Sequence, residues 1–172
     1  MEQRKTPVVS WYLDLSMVRD YWGTERKYHH TAPINSLYAL HEALVILQEE
    51  GLENAWARHE RNHNALRAGI EAMGLSFFVR KGDHLPQLNA VTVPEGIDEA
   101  AVRKTLLSDY SLEIGAGLGP MAGKIWRIGL MGYSSNPRNV LACLNALEAV
   151  LARQGANIER DAALPAAQAI YE

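Results

Sequence analysis

Several stretches of this chain carry residue types that could do chemistry. His59-Glu60-Arg61-Asn62-His63 is an HExxH run. On a helix, histidines four residues apart can share a zinc ion, with the glutamate as general base. The longer metzincin pattern needs glycine at 66 and histidine at 69, where the chain has Leu66 and Gly69. A third ligand would have to come from elsewhere, for example His84. The opposing reading is a solvated helix flank with Arg58, Glu60 and Arg61. Gly115-Ala116-Gly117-Leu118-Gly119-Pro120 suggests a dinucleotide loop. Pro120 stands where the last glycine of G-x-G-x-x-G belongs, and the run leads toward a strand, not a helix that could hold a pyrophosphate. A strand-to-strand loop fits it better.

Arg127 lies among Ile125, Trp126, Ile128 and Leu130. A guanidinium is always charged and costly to bury alone, so it must meet a partner. Its planar fork suits a carboxylate. From pattern alone, a structural ion pair and a ligand's carboxylate both remain open. Tyr28, His29, His30 and Thr31 form a donor-rich loop that suits phosphate or another anion, unless it is simply solvated. Cys143 falls on the apolar side of a helix and reads as core.

The elements that must position these residues follow from periodicity and punctuation. Pro7–Leu15 is apolar, aromatic and β-branched, and predicts a strand. Residues 16–22 read as a short helix stopped by Gly23, with Ser16 as a possible cap, and 23–33 as an ordered loop. Leu37, Leu40, Leu44 and Leu47 predict a helix over 34–48, capped by Asn35 or Ser36. Glu49-Glu50-Gly51 breaks it. Leu52, Trp56, Leu66, Ile70 and Met73 predict a second helix ending before Gly74. Strands are expected at 75–79, 88–93, 111–114 and 125–131. Helices are expected at 98–109, capped by Asp98, and at 136–153, opened by Asn136-Pro137. From residue 52 to 153 the order predicts an α+β unit with helices on one face of a small, mainly antiparallel sheet. Residues 1–50 look like the tail end of another domain, and 155–172 like an alanine-rich tail, partly disordered.

The chain has 172 residues, 17 Lys+Arg against 20 Asp+Glu, 48% hydrophobic residues and one cysteine. That composition excludes a mainly disordered chain, a disulfide framework and a cysteine-based metal cluster. A mixed-sign net charge of −3 does not suggest a nucleic-acid protein. No apolar run approaches the roughly 20 residues of a bilayer span. The first ten residues lack the apolar core of a signal peptide. A soluble, cytoplasmic protein is expected.

Five short motifs then occur in order: Trp11-Tyr12-Leu13-Asp14, Tyr28-His29-His30-Thr31-Ala32-Pro33, Gly51-Leu52-Glu53-Asn54-Ala55-Trp56, Gly117-Leu118-Gly119-Pro120, and Trp126-Arg127-Ile128-Gly129-Leu130-Met131-Gly132. Together they resemble the C-terminal portion of the alanine–glyoxylate and serine–glyoxylate aminotransferases. These are class V, fold-type-I enzymes that depend on pyridoxal phosphate. The resemblance covers residues 5–153. It implies a two-domain homodimer, with residues 1–50 the last segment of the large cofactor-binding domain, 51–154 the small C-terminal α+β domain and 155–172 a tail. It implies that Arg127 grips the α-carboxylate of an amino-acid substrate. Tyr28 and Thr31 match positions that reach the cofactor phosphate of the other subunit. The glycine loop would border the substrate mouth, and HExxH would be a coincidence with no metal. The family's Schiff-base lysine lies upstream of the matched region. Lys5, Lys27, Lys81, Lys104 and Lys124 do not sit in its motif, so the chain is expected to hold no catalytic residue and to be inactive alone. The other reading is a non-catalytic α+β dimerisation or binding module derived from that domain.

Overall fold

The computed structural model describes residues 3–172. It divides into two compact units, Met1–Glu49 and Glu50–Glu172.

In the first unit, Trp11–Leu13 forms a 3-10 turn, not the expected strand. β-propensity requires a partner strand to act on, and this segment pairs with none among the described residues. Asp14 then starts helix α1, Leu15–Trp22, its Oδ1 accepting from Ser16 N at 3.0 Å. The cap is therefore Asp14 and not Ser16. Helix α2, Ile34–Glu50, starts directly after Pro33, which leaves Asn35 and Ser36 inside its first turn. No residue of α2 is buried, and Tyr38, Leu40, Leu44 and Ile46 stand exposed.

Gly51, at φ +82°, makes the break that a side chain would strain, and helix α3, Leu52–Ala72, follows. The second unit then runs β1 (Leu88–Thr92), α4 (Glu99–Tyr110), β2 (Gly115–Ala116), β3 (Ile125–Gly129), α5 (Pro137–Arg153) and α6 (Ala163–Gln168). Among the described residues it is α+β, with one antiparallel sheet in the order β1-β3-β2. Asp98 and Asn136 cap α4 and α5 as their positions predicted. The expected strand at 75–79 reduces to a bridge between Phe77 and Val91. The one expected at 111–114 starts later, because Ser111 adopts the left-handed conformation that ends α4 and Leu112 N bonds back to Leu106 O.

Alternation along β3 sorts the sheet into two faces. Trp126 and Ile128, with Asn89 and Val91 of β1, are buried among the helices. Trp126 Nε1 donates to Glu99 O of α4 at 3.3 Å. Helix α3 packs on α5 and α6, and α5 on α4. Residues 155–172, expected as a tail, instead carry α6, whose Ala163 and Ala167 are fully buried. Small side chains give that segment no hydrophobic signature in sequence. They let it lie close against α3, where Gly69 leaves room. Cys143 is buried in this core, which pushes its thiol up to about 12.

Candidate functional site

The central strand β3 delivers Arg127 to the sheet face opposite the helices. Its cross-strand neighbours are Ala90 on β1 and Gly115 on β2. Both are small, so the guanidinium lies in a lane across the sheet. A Cβ on Gly115 would come within 3.2 Å of Arg127 Nη2. Arg127 Nε donates to Ala116 O at 2.7 Å. That bond fixes the plane of the fork and leaves its two terminal nitrogens forward. No carboxylate among the described residues pairs with Arg127, although Arg58, Arg67, Arg80, Arg103 and Arg153 all have one. Among the described residues, the structural ion pair left open by the sequence is therefore not formed. What remains is a preset, half-buried cation with a free bidentate edge, which suits a planar carboxylate.

The loop before β3 holds this lane in shape. Gly117 N donates to Ile125 O at 3.0 Å, and a Cβ on Gly117 would lie 2.0 Å from Met121 O. Along β3, Gly129 leaves space beside Arg127 that Met131 enters: a Cβ there would meet Met131 Cε at 3.0 Å. Ala90 was not marked by sequence, and although Gly115, Gly129 and Met131 lie in the glycine loop and the β3 motif, their place beside Arg127 was not; sheet register brings Ala90 and Gly115 to it, and strand alternation Gly129.

In the first unit, Tyr28 Oη and Thr31 Oγ1 lie 3.0 Å apart, and both side chains are exposed. The two imidazoles of this loop are spent on holding it. His29 Nε2 donates to Trp11 O at 2.9 Å, and His29 Nδ1 lies 2.7 Å from His30 Nδ1. The His29 ring packs on Trp11 at 4.1 Å, while Tyr21 meets Tyr28 edge-on at 5.7 Å. The loop thus presents paired hydroxyls from a tethered base. Two hydroxyl donors so placed fit the oxygens of a phosphate group.

The HExxH residues serve other ends. His59 Nδ1 donates to Ala55 O at 2.6 Å, and its Nε2 accepts from Gly132 N at 3.1 Å. His63 Nδ1 donates to Asn89 Oδ1 at 2.6 Å, and its ring stacks on His84 at 4.2 Å. Burial holds His63 below the ordinary imidazole value, with the charges of His84 and Arg67 adding to the effect. Among the described residues, no three His, Cys, Asp or Glu side chains gather as a metal-holding group. None of the helices described is long and apolar enough to cross a membrane.

Arg127, with no carboxylate partner among the described residues, has the chemistry to take a carboxylate, and the hydroxyls of Tyr28 and Thr31 have the chemistry to take phosphate oxygens. The chain is 48% identical over 166 residues to the (S)-ureidoglycine–glyoxylate transaminase of Bacillus subtilis, a match covering 96% of this chain and 40% of that one. It is 41% identical over 152 residues to the alanine–glyoxylate aminotransferase of Mus musculus, covering 86% and 37%. The crystal structure of the ureidoglycine–glyoxylate aminotransferase from Bacillus subtilis superposes with a TM-score of 0.94 at 47% identity, over 99% of this chain and 44% of that one. No family model matches the chain. The chain is similar to glyoxylate aminotransferases, and its structural neighbours are class V pyridoxal-phosphate aminotransferases, whose C-terminal part it resembles. It spans about 40% of the length of the curated relatives it matches.

Proposed function

We propose that this chain forms the substrate-carboxylate and cofactor-phosphate part of an aminotransferase that moves an amino group from alanine, serine or a related donor to glyoxylate or a similar 2-oxo acid. Glyoxylate is common to the names of both curated relatives cited above. The carrying observation is Arg127: anchored through Nε, flanked by Ala90 and Gly115, and without a protein carboxylate among the described residues. It binds the α-carboxylate in two parallel hydrogen bonds and so fixes which bonds at Cα can react. Tyr28 and Thr31 donate to the phosphate of pyridoxal phosphate, across a homodimer. When bound, that cofactor supplies the electron sink for amino transfer.

A covalent-catalysis lysine is activated by burial or by neighbouring charge. Lys5, Lys27, Lys81, Lys104 and Lys124 are all exposed. We assign the Schiff-base lysine to none of them, so the chain holds substrate and phosphate without the covalent link. The uncovered apolar surface of α2 supports a setting in which further protein, from the same or a second subunit, packs on it.

The test is a chimera in which these residues replace the matching portion of the Bacillus subtilis transaminase. It is assayed for amino transfer to glyoxylate from alanine, serine and ureidoglycine. Arg127→Ala should lower kcat/KM by about 100-fold, the worth of a charge-assisted bidentate pair at about 3 kcal/mol. An active chimera indifferent to that substitution would overturn the reading.

A further inference from the structure

We propose that Arg58 and His59 are positioning residues for the carboxylate site, latching the loop that ends β3 onto helix α3. This rests on reading Arg127 as the carboxylate grip, and it gives the HExxH helix a task unrelated to metal.

The loop between β3 and α5 passes through Leu130, Met131 and a 3-10 turn at Gly132–Ser134 before Ser135 and the Asn136 cap. Both backbone polar groups of Gly132 bond to side chains of α3. Gly132 N–H donates to His59 Nε2 at 3.1 Å, and Gly132 O accepts from Arg58 Nη1 at 2.8 Å. Arg58 Nη1 also donates to Ser135 O at 2.9 Å, and Asn62 Nδ2 to Ser135 Oγ at 3.1 Å. These contacts bridge more than seventy residues of sequence, which makes them a specific closure and not a local cap.

Each latch residue is itself held. His59 Nδ1 lies 2.6 Å from Ala55 O, so it carries the ring hydrogen and Nε2 is free to accept. Arg58 Nη2 donates to Glu50 Oε2 at 2.8 Å, and its Nε to the other carboxylate oxygen. Asn62 Oδ1 accepts from Tyr171 Oη at 2.8 Å. The latched residues adjoin the site. Met131, immediately before Gly132, extends its Cε over Gly129, two residues from Arg127 on the same sheet face. Fixing Gly132 therefore fixes the wall beside the guanidinium.

The experiment uses the 172-residue chain. Propionate, a bare carboxylate probe, is titrated while the backbone amide resonances of Ala116 and Gly129, beside residue 127, are followed by NMR. Amide hydrogen exchange reports on Gly132. His59→Leu should raise the propionate midpoint about fivefold, the equilibrium worth of one neutral hydrogen bond. It should also speed Gly132 exchange by about tenfold, as expected of a local opening. His59→Gln, which places an acceptor oxygen near the lost nitrogen, should restore both. Arg58→Met should reproduce the loss if His59→Leu does not fold. An unchanged propionate midpoint in these variants, with binding still abolished by Arg127→Ala, would overturn the latch alone. If Arg127→Ala titrates like the unsubstituted chain, the carboxylate reading itself fails.

Discussion

Replacing Gly69 by alanine would place a methyl carbon 2.4 Å from Leu144 Cδ1, 2.7 Å from Leu144 Cδ2 and 3.1 Å from Ala163 O. Gly69 sits where α3 meets both α5 and α6, and Leu144 is fully buried, so it has no solvent to swing into. Overpacking of this kind costs about 1–3 kcal/mol. The gain in helix propensity from glycine to alanine returns up to about 1 kcal/mol. With that gain in full, the net is a loss of up to about 2 kcal/mol, read as a lower urea midpoint at unchanged slope in circular dichroism. Leu144→Ala alone should cost about 2–5 kcal/mol. In the double variant the new methyl occupies part of the vacated space, so the two losses should fall short of additivity by about 1 kcal/mol. A Gly69→Ala chain that is more stable than the parent would refute the packing argument, since it would show an ordinary exposed-helix response.

Two further predictions follow from the second unit. His63 is held below its ordinary value of 6.5, so the unfolded chain takes up a proton at a pH where the folded chain does not. This contribution to stability is complete above 6.5 and lost as pH falls from there through the folded value; thermal midpoints should drop over that window, and a His63→Gln chain showing the same slope would contradict it. At the carboxylate lane, Gly115→Ala crowds Arg127 Nη2, and in the chimera KM for the amino donor should rise about fivefold, the worth of about 1 kcal/mol, with kcat changed less. A change in kcat alone would place Gly115 outside substrate binding.

Much of the helical frame was legible in sequence. The expected spans 34–48, 52–73, 98–109 and 136–153 meet helices at Ile34–Glu50, Leu52–Ala72, Glu99–Tyr110 and Pro137–Arg153. Apolar periodicity and strong punctuation coincide there: Gly51, Asp98 and Asn136-Pro137 each act through local backbone chemistry. The strands were less legible, since pairing is not local. Trp11–Leu13 has the composition of a strand and no partner to pair with among the described residues, while Phe77 pairs at a single bridge. Helix α6 escaped notice because alanines carry little hydrophobic signal, although Ala163 and Ala167 reach the core. Arg127 was legible as a charge inside an apolar strand. That it meets no carboxylate among the described residues, and lies between Ala90 and Gly115, depends on register. His59 showed the reverse: its motif suggested metal, while its partner is the distant Gly132.

In the function proposed above, this chain supplies the carboxylate and phosphate contacts, and none of its five lysines forms the Schiff base. The most direct test mixes the purified chain with pyridoxal phosphate, reduces with borohydride, digests, and maps modified lysines by mass. The account predicts scattered, substoichiometric labelling of exposed lysines, with no preferred site. A stoichiometric adduct at one of Lys5, Lys27, Lys81, Lys104 or Lys124 would contradict it and would mean that this chain carries a Schiff-base site of its own.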